Sequence, residues 1–165
     1  MMKKTVLILT LVIVVLAAAF ASGCVNGAPD VNPTQENTAA EQNNSVSNEA
    51  IDEYLASVRA QSDAINTSFE QDPLTQTELN IKSMELSELW NGAMNYLLDE
   101  LKNRLPEDEF SRLQDDQLAW IAERDKAVAE AGAEFEGGSF YSFIVNTEAA
   151  RITEERVLEL YEMLK

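Results

Sequence analysis

Leu86-Ser87-Glu88-Leu89-Trp90-Asn91-Gly92-Ala93-Met94-Asn95-Tyr96-Leu97-Leu98-Asp99-Glu100-Leu101 decides the fold class. Its large apolar residues Leu86, Leu89, Trp90, Met94, Leu97, Leu98 and Leu101 recur at steps of three and four, which gathers them on one face of an α-helix. Upstream, Thr75 or Thr77 is placed to cap this helix, and Glu78 stands three residues after Thr75 as a capping box requires. Asp72-Pro73 separates it from an earlier periodic run, Ile51, Leu55, Val58, Ile65 and Phe69, in which Ser62 fills the one missing position. Downstream, Leu105-Pro106 ends it, and Glu107, Asp108 and Glu109 suit the positive start of a third helix. That helix carries Phe110, Leu113, Trp120, Ile121, Val128 and Phe135, with Gly137-Gly138 expected to stop it. Ser139 is then expected to cap a fourth helix bearing Tyr141, Ile144, Val145, Ile152, Leu160 and Leu164. Sustained apolar–polar alternation, the mark of a strand, is missing from the sequence. The pattern predicts an all-α domain over residues 50–165, a compact antiparallel bundle of about four helices joined by short turns.

The segment before the helices has a different texture. Lys3 and Lys4 precede an apolar run from Val6 to Phe20, and Ala21-Ser22-Gly23 leads to Cys24, the single cysteine. A basic start, an apolar centre and a small-residue approach read as a signal peptide over 1–23. With a cysteine directly after Ala-Ser-Gly, the segment resembles a lipobox. That implies cleavage before Cys24, acylation of its thiol and attachment to a membrane outside the cytoplasm, with about 0.8 kcal/mol gained per buried CH₂. The competing reading is an uncleaved anchor helix close to the lower length for spanning. Residues 24–49 are polar, lack any basic side chain and offer only Val25, Val31 and Val46 as sizeable apolar groups. They are expected to form a flexible tether reaching about 25–30 Å by random-coil scaling. With Cys24 committed to lipid, no thiol remains for a disulfide, so packing alone must stabilise the domain.

Charge narrows the partners. The formal net charge is −17, from 12 basic and 29 acidic side chains, and loss of Lys3 and Lys4 with the signal would make it −19. Such a surface repels phosphate backbones and anionic headgroups, which excludes nucleic acid as an expected partner. It attracts a basic protein, or it serves only to keep an exported domain soluble. The sequence has no histidine. Ser-His-Asp and Cys-His nucleophiles, His-dependent zinc sites and the usual neutral-pH base are thereby excluded. Carboxylates are plentiful, but none are paired in an apolar setting that would separate two pKa values, and no calcium loop is present. No catalytic residue, metal ligand or cofactor is expected.

Three local patterns carry a resemblance. They are Thr75-Gln76-Thr77-Glu78-Leu79-Asn80, then Gln117-Leu118-Ala119-Trp120-Ile121-Ala122-Glu123-Arg124-Asp125, and lastly the stretch from Gly137-Gly138-Ser139 to Arg151-Ile152-Thr153-Glu154-Glu155-Arg156. In this order and spacing the chain from about Ile51 onward resembles the LprI-like lysozyme-inhibitor family of small exported helical domains. The resemblance implies an extracytoplasmic binding protein, not an enzyme, that holds lysozyme by its basic surface and occludes the glycan cleft. The alternative is an envelope scaffold or assembly factor that binds another envelope protein or peptidoglycan. Family members commonly carry cysteines where this chain has Lys82, Val128 and Glu148. Val128 is expected to join the core, and Lys82 and Glu148 to be exposed.

Gln117, Trp120, Ile121, Arg124 and Asp125 share one helix face by their spacing. Thr153 and Arg156, with Glu78 or Asn80, are expected to complete a polar network across the bundle that fixes helix register, in preference to a binding role. Gly137, Gly138 and Ser139 form the candidate partner-binding loop, since two glycines allow close backbone approach; the same loop also reads as a plain helix cap followed by a helix start.

Overall fold

The computed structural model describes residues 46–165. The signal segment 1–23, Cys24 and the tether up to residue 45 lie outside the described residues. Four helices follow in order, α1 (Asn48–Gln71), α2 (Gln76–Arg104), α3 (Glu107–Gly132) and α4 (Tyr141–Glu162), with a 3₁₀ turn (Ala133–Phe135) between the last two. The all-α bundle is as the periodicity indicated.

Helix α1 begins inside the stretch expected to be tether. The Ser47 side chain accepts from the Ala50 N–H and caps the helix, and Val46 packs on the core. The folded domain therefore starts before the expected boundary at residue 50. A charged clamp explains why. The Val46 N–H donates to the buried Glu100 carboxylate at 3.0 Å, while Arg104 donates to the Val46 carbonyl and to Asn48 Oδ1. Between Pro73 and α2 the capping box forms as read: the Glu78 N–H donates to Thr75 Oγ1 at 3.4 Å, and the Thr75 N–H to Glu78 Oε2 at 2.7 Å. The returned hydrogen bonds hold the Glu78 carboxyl below its ordinary pKa. Pro106 caps α3 with its carbonyl, and the three acids of the first turn follow it as expected.

The α3–α4 connection departs from the expectation. Helix α3 ends at Gly132, before Gly137-Gly138, and Phe135 sits exposed in the 3₁₀ turn, not on a core face. The backbone stays right-handed through Gly132 and Ala133 and tightens into the 3₁₀ turn. There α4 crosses close to α3: a Cβ at Gly132 would lie 2.6 Å from Val145 Cγ1 and 2.9 Å from the Tyr141 ring, and glycine allows the approach. Gly137, with φ +78°, then turns the chain back. Ser139 does not cap α4; Phe140 holds the N-cap position, and no side chain caps the helix.

Helix α2 is the axis of the core. Trp90, Leu97 and Leu101 are fully buried on it, and α1 and α4 cover it from two sides. The α2–α4 seam is the most extensive. Ser83 meets Asn146 there, and further along both helices Leu86 and Trp90 share a hollow with Thr147 and Ala150, so α2 and α4 run in the same direction. Consecutive helices run in opposite directions, yet α3 packs mainly on α4 and barely on α2. The polar interruption Ser62 in the α1 stripe has a partner: it is 3 % exposed and accepts the Trp90 indole N–H at 3.1 Å. Aromatic contacts fasten both ends of α1, Tyr54 against Tyr96 at 4.3 Å and Phe69 edge-on to Phe143 at 5.2 Å.

Ser62→Ala removes that acceptor and leaves the Trp90 N–H unpaired in the core. The expected loss of stability is about 1–3 kcal/mol by urea unfolding. Combining it with Trp90→Phe, which removes the donor as well, should cost less than the two single changes added together.

Candidate functional site

The middle motif folds into the seam between α3 and α4. Gln117 is buried on α3, donating Nε2 to Met94 Sδ at 3.2 Å and accepting from Arg156 Nε at 3.0 Å. The Arg156 guanidinium, 8 % exposed, also donates to Asp116 and, at 2.9 Å, to Glu159. Every guanidinium nitrogen therefore has an acceptor, which makes burial of this charge tolerable. Trp120 is half-buried beside it, and two guanidinium carbons lie over its ring, Arg124 at 5.2 Å and Arg156 at 5.8 Å. Arg124 in turn donates to Asp125 at 2.9 Å and to Asn91 of α2 at 3.3 Å.

Gln117, Trp120, Arg124 and Arg156 thus come together as the helical spacing indicated, while Asp125 only flanks them at the surface. Thr153 does not join: it is fully buried and its hydroxyl donates to the Ala149 carbonyl of its own helix at 2.7 Å. Glu78 and Asn80 are not members either. Glu78 is held in the capping box, and Asn80 bonds Gln76 and the Ser139 carbonyl. Their place is taken by Asn91, Asp116 and Glu159. Glu159 lies three residues after Arg156 on one helix, a spacing visible in the sequence; the Asn91 contact depends on how α2 and α3 lean together.

The positions where family cysteines are expected are half-buried. Lys82 and Val128 are partly covered, and Val128 stays outside the main core. Glu148 is not exposed as expected; its side chain is 27 % exposed and receives a two-pronged ion pair from Arg151 at 3.0 and 2.8 Å. That pairing holds the Glu148 carboxyl below its ordinary value.

Gly137, Gly138 and Ser139 form a tight turn at the end of the bundle. The Gly138 N–H donates to the Phe135 carbonyl at 2.9 Å, and Asn80 Nδ2 donates to the Ser139 carbonyl at 3.3 Å. The turn is fixed by backbone bonds and by the Asn80 side chain, and the whole stretch 133–142 is exposed, with the rings of Phe135, Phe140 and Tyr141 as its large apolar groups. A separate open groove of about 520 Å³ runs between α2 and α3, lined by Leu98, Asp99, Lys102, Phe110 and Leu118 among others. Among the described residues, no three of Asp, Glu, Cys and His gather to hold a cation, and no helix is long and apolar enough to cross a membrane. The arrangement is one of paired charges locking helices, with apolar surface displayed beside it.

Arg156→Lys keeps the charge but cannot serve Gln117 and two carboxylates at once. The expected destabilisation is about 1–3 kcal/mol by chemical unfolding, with a larger loss for Arg156→Met, which leaves Gln117 Oε1 unpaired. Glu148, whose folded pKa is depressed, contributes stability that is present above the unfolded value near 4.5 and fades as pH falls through the folded value. Arg151→Gln should raise the Glu148 midpoint in an NMR titration and flatten that acid-side slope.

No curated protein and no solved structure matches the chain. The model of the family described as lysozyme inhibitor LprI matches residues 70–160. That span takes in the capping box, the Gln117–Arg156 seam, the turn at Gly137 and almost all of α2, α3 and α4. It begins at the last turn of α1, whose Ile51, Leu55 and Val58 complete the core. A match over more than half the sequence, carried by the helices that build the core and its buried polar lock, places this chain in the LprI lysozyme-inhibitor family.

Proposed function

We propose that this chain is a lysozyme-binding inhibitor held at the outer face of a cell membrane through lipid on Cys24, and that it acts by covering the glycan cleft of its target. The family match across α2, α3 and α4 carries the reading. The charge of the chain supports it, since 29 acidic against 12 basic side chains create a field that draws in a basic protein. Inhibition requires no chemistry from the inhibitor. A rigid surface that excludes substrate is sufficient, and a helical bundle locked by buried polar bonds supplies rigidity. A lipid anchor with a polar tether would keep the domain close to the wall that lysozyme attacks.

The test is hydrolysis of labelled, solubilised peptidoglycan by chicken-type lysozyme, with the full chain added in nonionic detergent at two ionic strengths. Dose-dependent inhibition is expected, with an association rate that falls about tenfold or more between low and physiological salt. Undiminished hydrolysis at a large molar excess of the chain would overturn the reading and favour an envelope scaffold.

A further inference from the structure

We infer that the partner-binding surface is the pole of the bundle formed by the α3–α4 turn, which exposes Phe135, Phe140 and Tyr141 and is tied through Asn80 to the start of α2, where Ile81 and Met84 are exposed, and that it accepts a basic protein surface. The inference deepens the lysozyme reading and rests on it.

Three observations converge on this pole. The first is exposed apolar area. Phe135, Phe140, Tyr141, Ile81 and Met84 are each between 38 % and 47 % exposed, and they are five of the eight large apolar side chains left in solvent among the described residues. Asn80, directly before Ile81, binds the Ser139 carbonyl, which ties the start of α2 to the turn carrying the rings. Aromatic side chains lose little conformational freedom on binding and supply most of the energy in protein contacts. These rings are also held in place. Phe140 packs edge-on to Phe143, Phe143 on Phe69, and Tyr141 lies against Gly132.

The second is charge. Glu134 and Glu136 flank Phe135, and the segments 66–85 and 126–148 that build this pole each carry four acids and one lysine. An apolar centre with an acidic rim is complementary to a basic protein and repels an anionic membrane.

The third is direction. Val46, fixed by Glu100 and Arg104, lies at the opposite pole, so whatever chain precedes it departs from there. Helix α2, with 29 residues, separates the two poles by about 40 Å. The aromatic pole is therefore the end of the domain farthest from the tether's point of entry. The α2–α3 groove, which displays Leu118 at 67 % exposure, is the rival surface. Its segment 95–118 is acidic too, with seven acids against three basic residues, so the clustered aromatic rings, and not charge, set the pole apart.

The experiment measures binding of chicken-type lysozyme to the immobilised full chain in nonionic detergent. It compares the unchanged chain, the double variant Phe135→Ser with Phe140→Ser, and Leu118→Ser as the rival. Hydrogen exchange of the unchanged chain with and without lysozyme gives a footprint that needs no variant to fold. The expected result is a loss of affinity of about tenfold or more in the double variant, no change for Leu118→Ser, and slowed exchange over 133–144 and 80–85. Full affinity in the double variant, or a footprint on the α2–α3 groove, would overturn the assigned surface and leave the lysozyme reading standing. Absence of lysozyme binding by the unchanged chain would overturn the functional reading and this surface with it. If the double variant loses its helical circular dichroism, the footprint alone decides.

Discussion

The need to cover α2 places α1 and α4, and through α4 it places α3. The apolar stripe of α2 is wider than one neighbour can bury, so α1 takes one flank and α4 the other, and α3 is left to pack on α4. Trp90 sits at the meeting point, with its N–H satisfied by Ser62 across the α1–α2 seam. No cysteine lies within residues 46–165, so nothing covalent holds these flanks together. The polar contacts between helices take over part of that role. Ser62 with Trp90, Ser83 with Asn146, and Gln117 with Arg156 each tie a different pair of helices and each tolerates one register only.

The family seam between α3 and α4 is therefore best understood as a lock. Arg156 is buried in an acidic protein, surrounded by acceptors from its own helix and from α3, with Trp120 beneath it. Its carboxylate partners Asp116 and Glu159 are mostly in solvent, so their attraction is screened, and the buried bond to Gln117 is what fixes geometry. A locked α3–α4 pair is also what gives the turn between them a defined shape. The motif and the loop, far apart in sequence, are linked as support and display.

Much of this was legible beforehand because helix periodicity reports burial directly. The four helices, the Pro73 and Pro106 breaks and the Thr75 capping box follow from local spacing and local chemistry. The vacancy at Ser62 was visible too, although its meaning required Trp90 from another helix. What spacing does not encode is which helix lies against which face. The sequence offered Glu78 and Asn80 as partners for the α3–α4 network, and the fold uses Asn91, Asp116 and Glu159. Likewise Gly137-Gly138 is a strong local stop, but α3 tightens into a 3₁₀ turn earlier, after Gly132, and Gly137 only completes the reversal. Gly137, Gly138 and Ser139 lie in an exposed turn where the glycines shape the backbone, and the large apolar groups at that turn are the neighbouring rings.

The parallel pairing of α2 and α4 has a consequence for how the domain forms. Ser83 and Asn146 are 63 residues apart, whereas α1–α2 and α3–α4 are hairpins of near neighbours. The hairpins can form early, but α2 has half its stripe uncovered until α4 arrives, and closing so long a loop slows the final step only modestly. During synthesis from the N-terminus, the segment richest in buried leucine therefore waits bare while α3 and α4 are made. Residues Val157, Leu160 and Leu164, all buried, complete the cover last. The domain gains its stability late and all at once, and a chain halted before α4 would present a sticky, half-dressed helix for chaperones or proteases to claim.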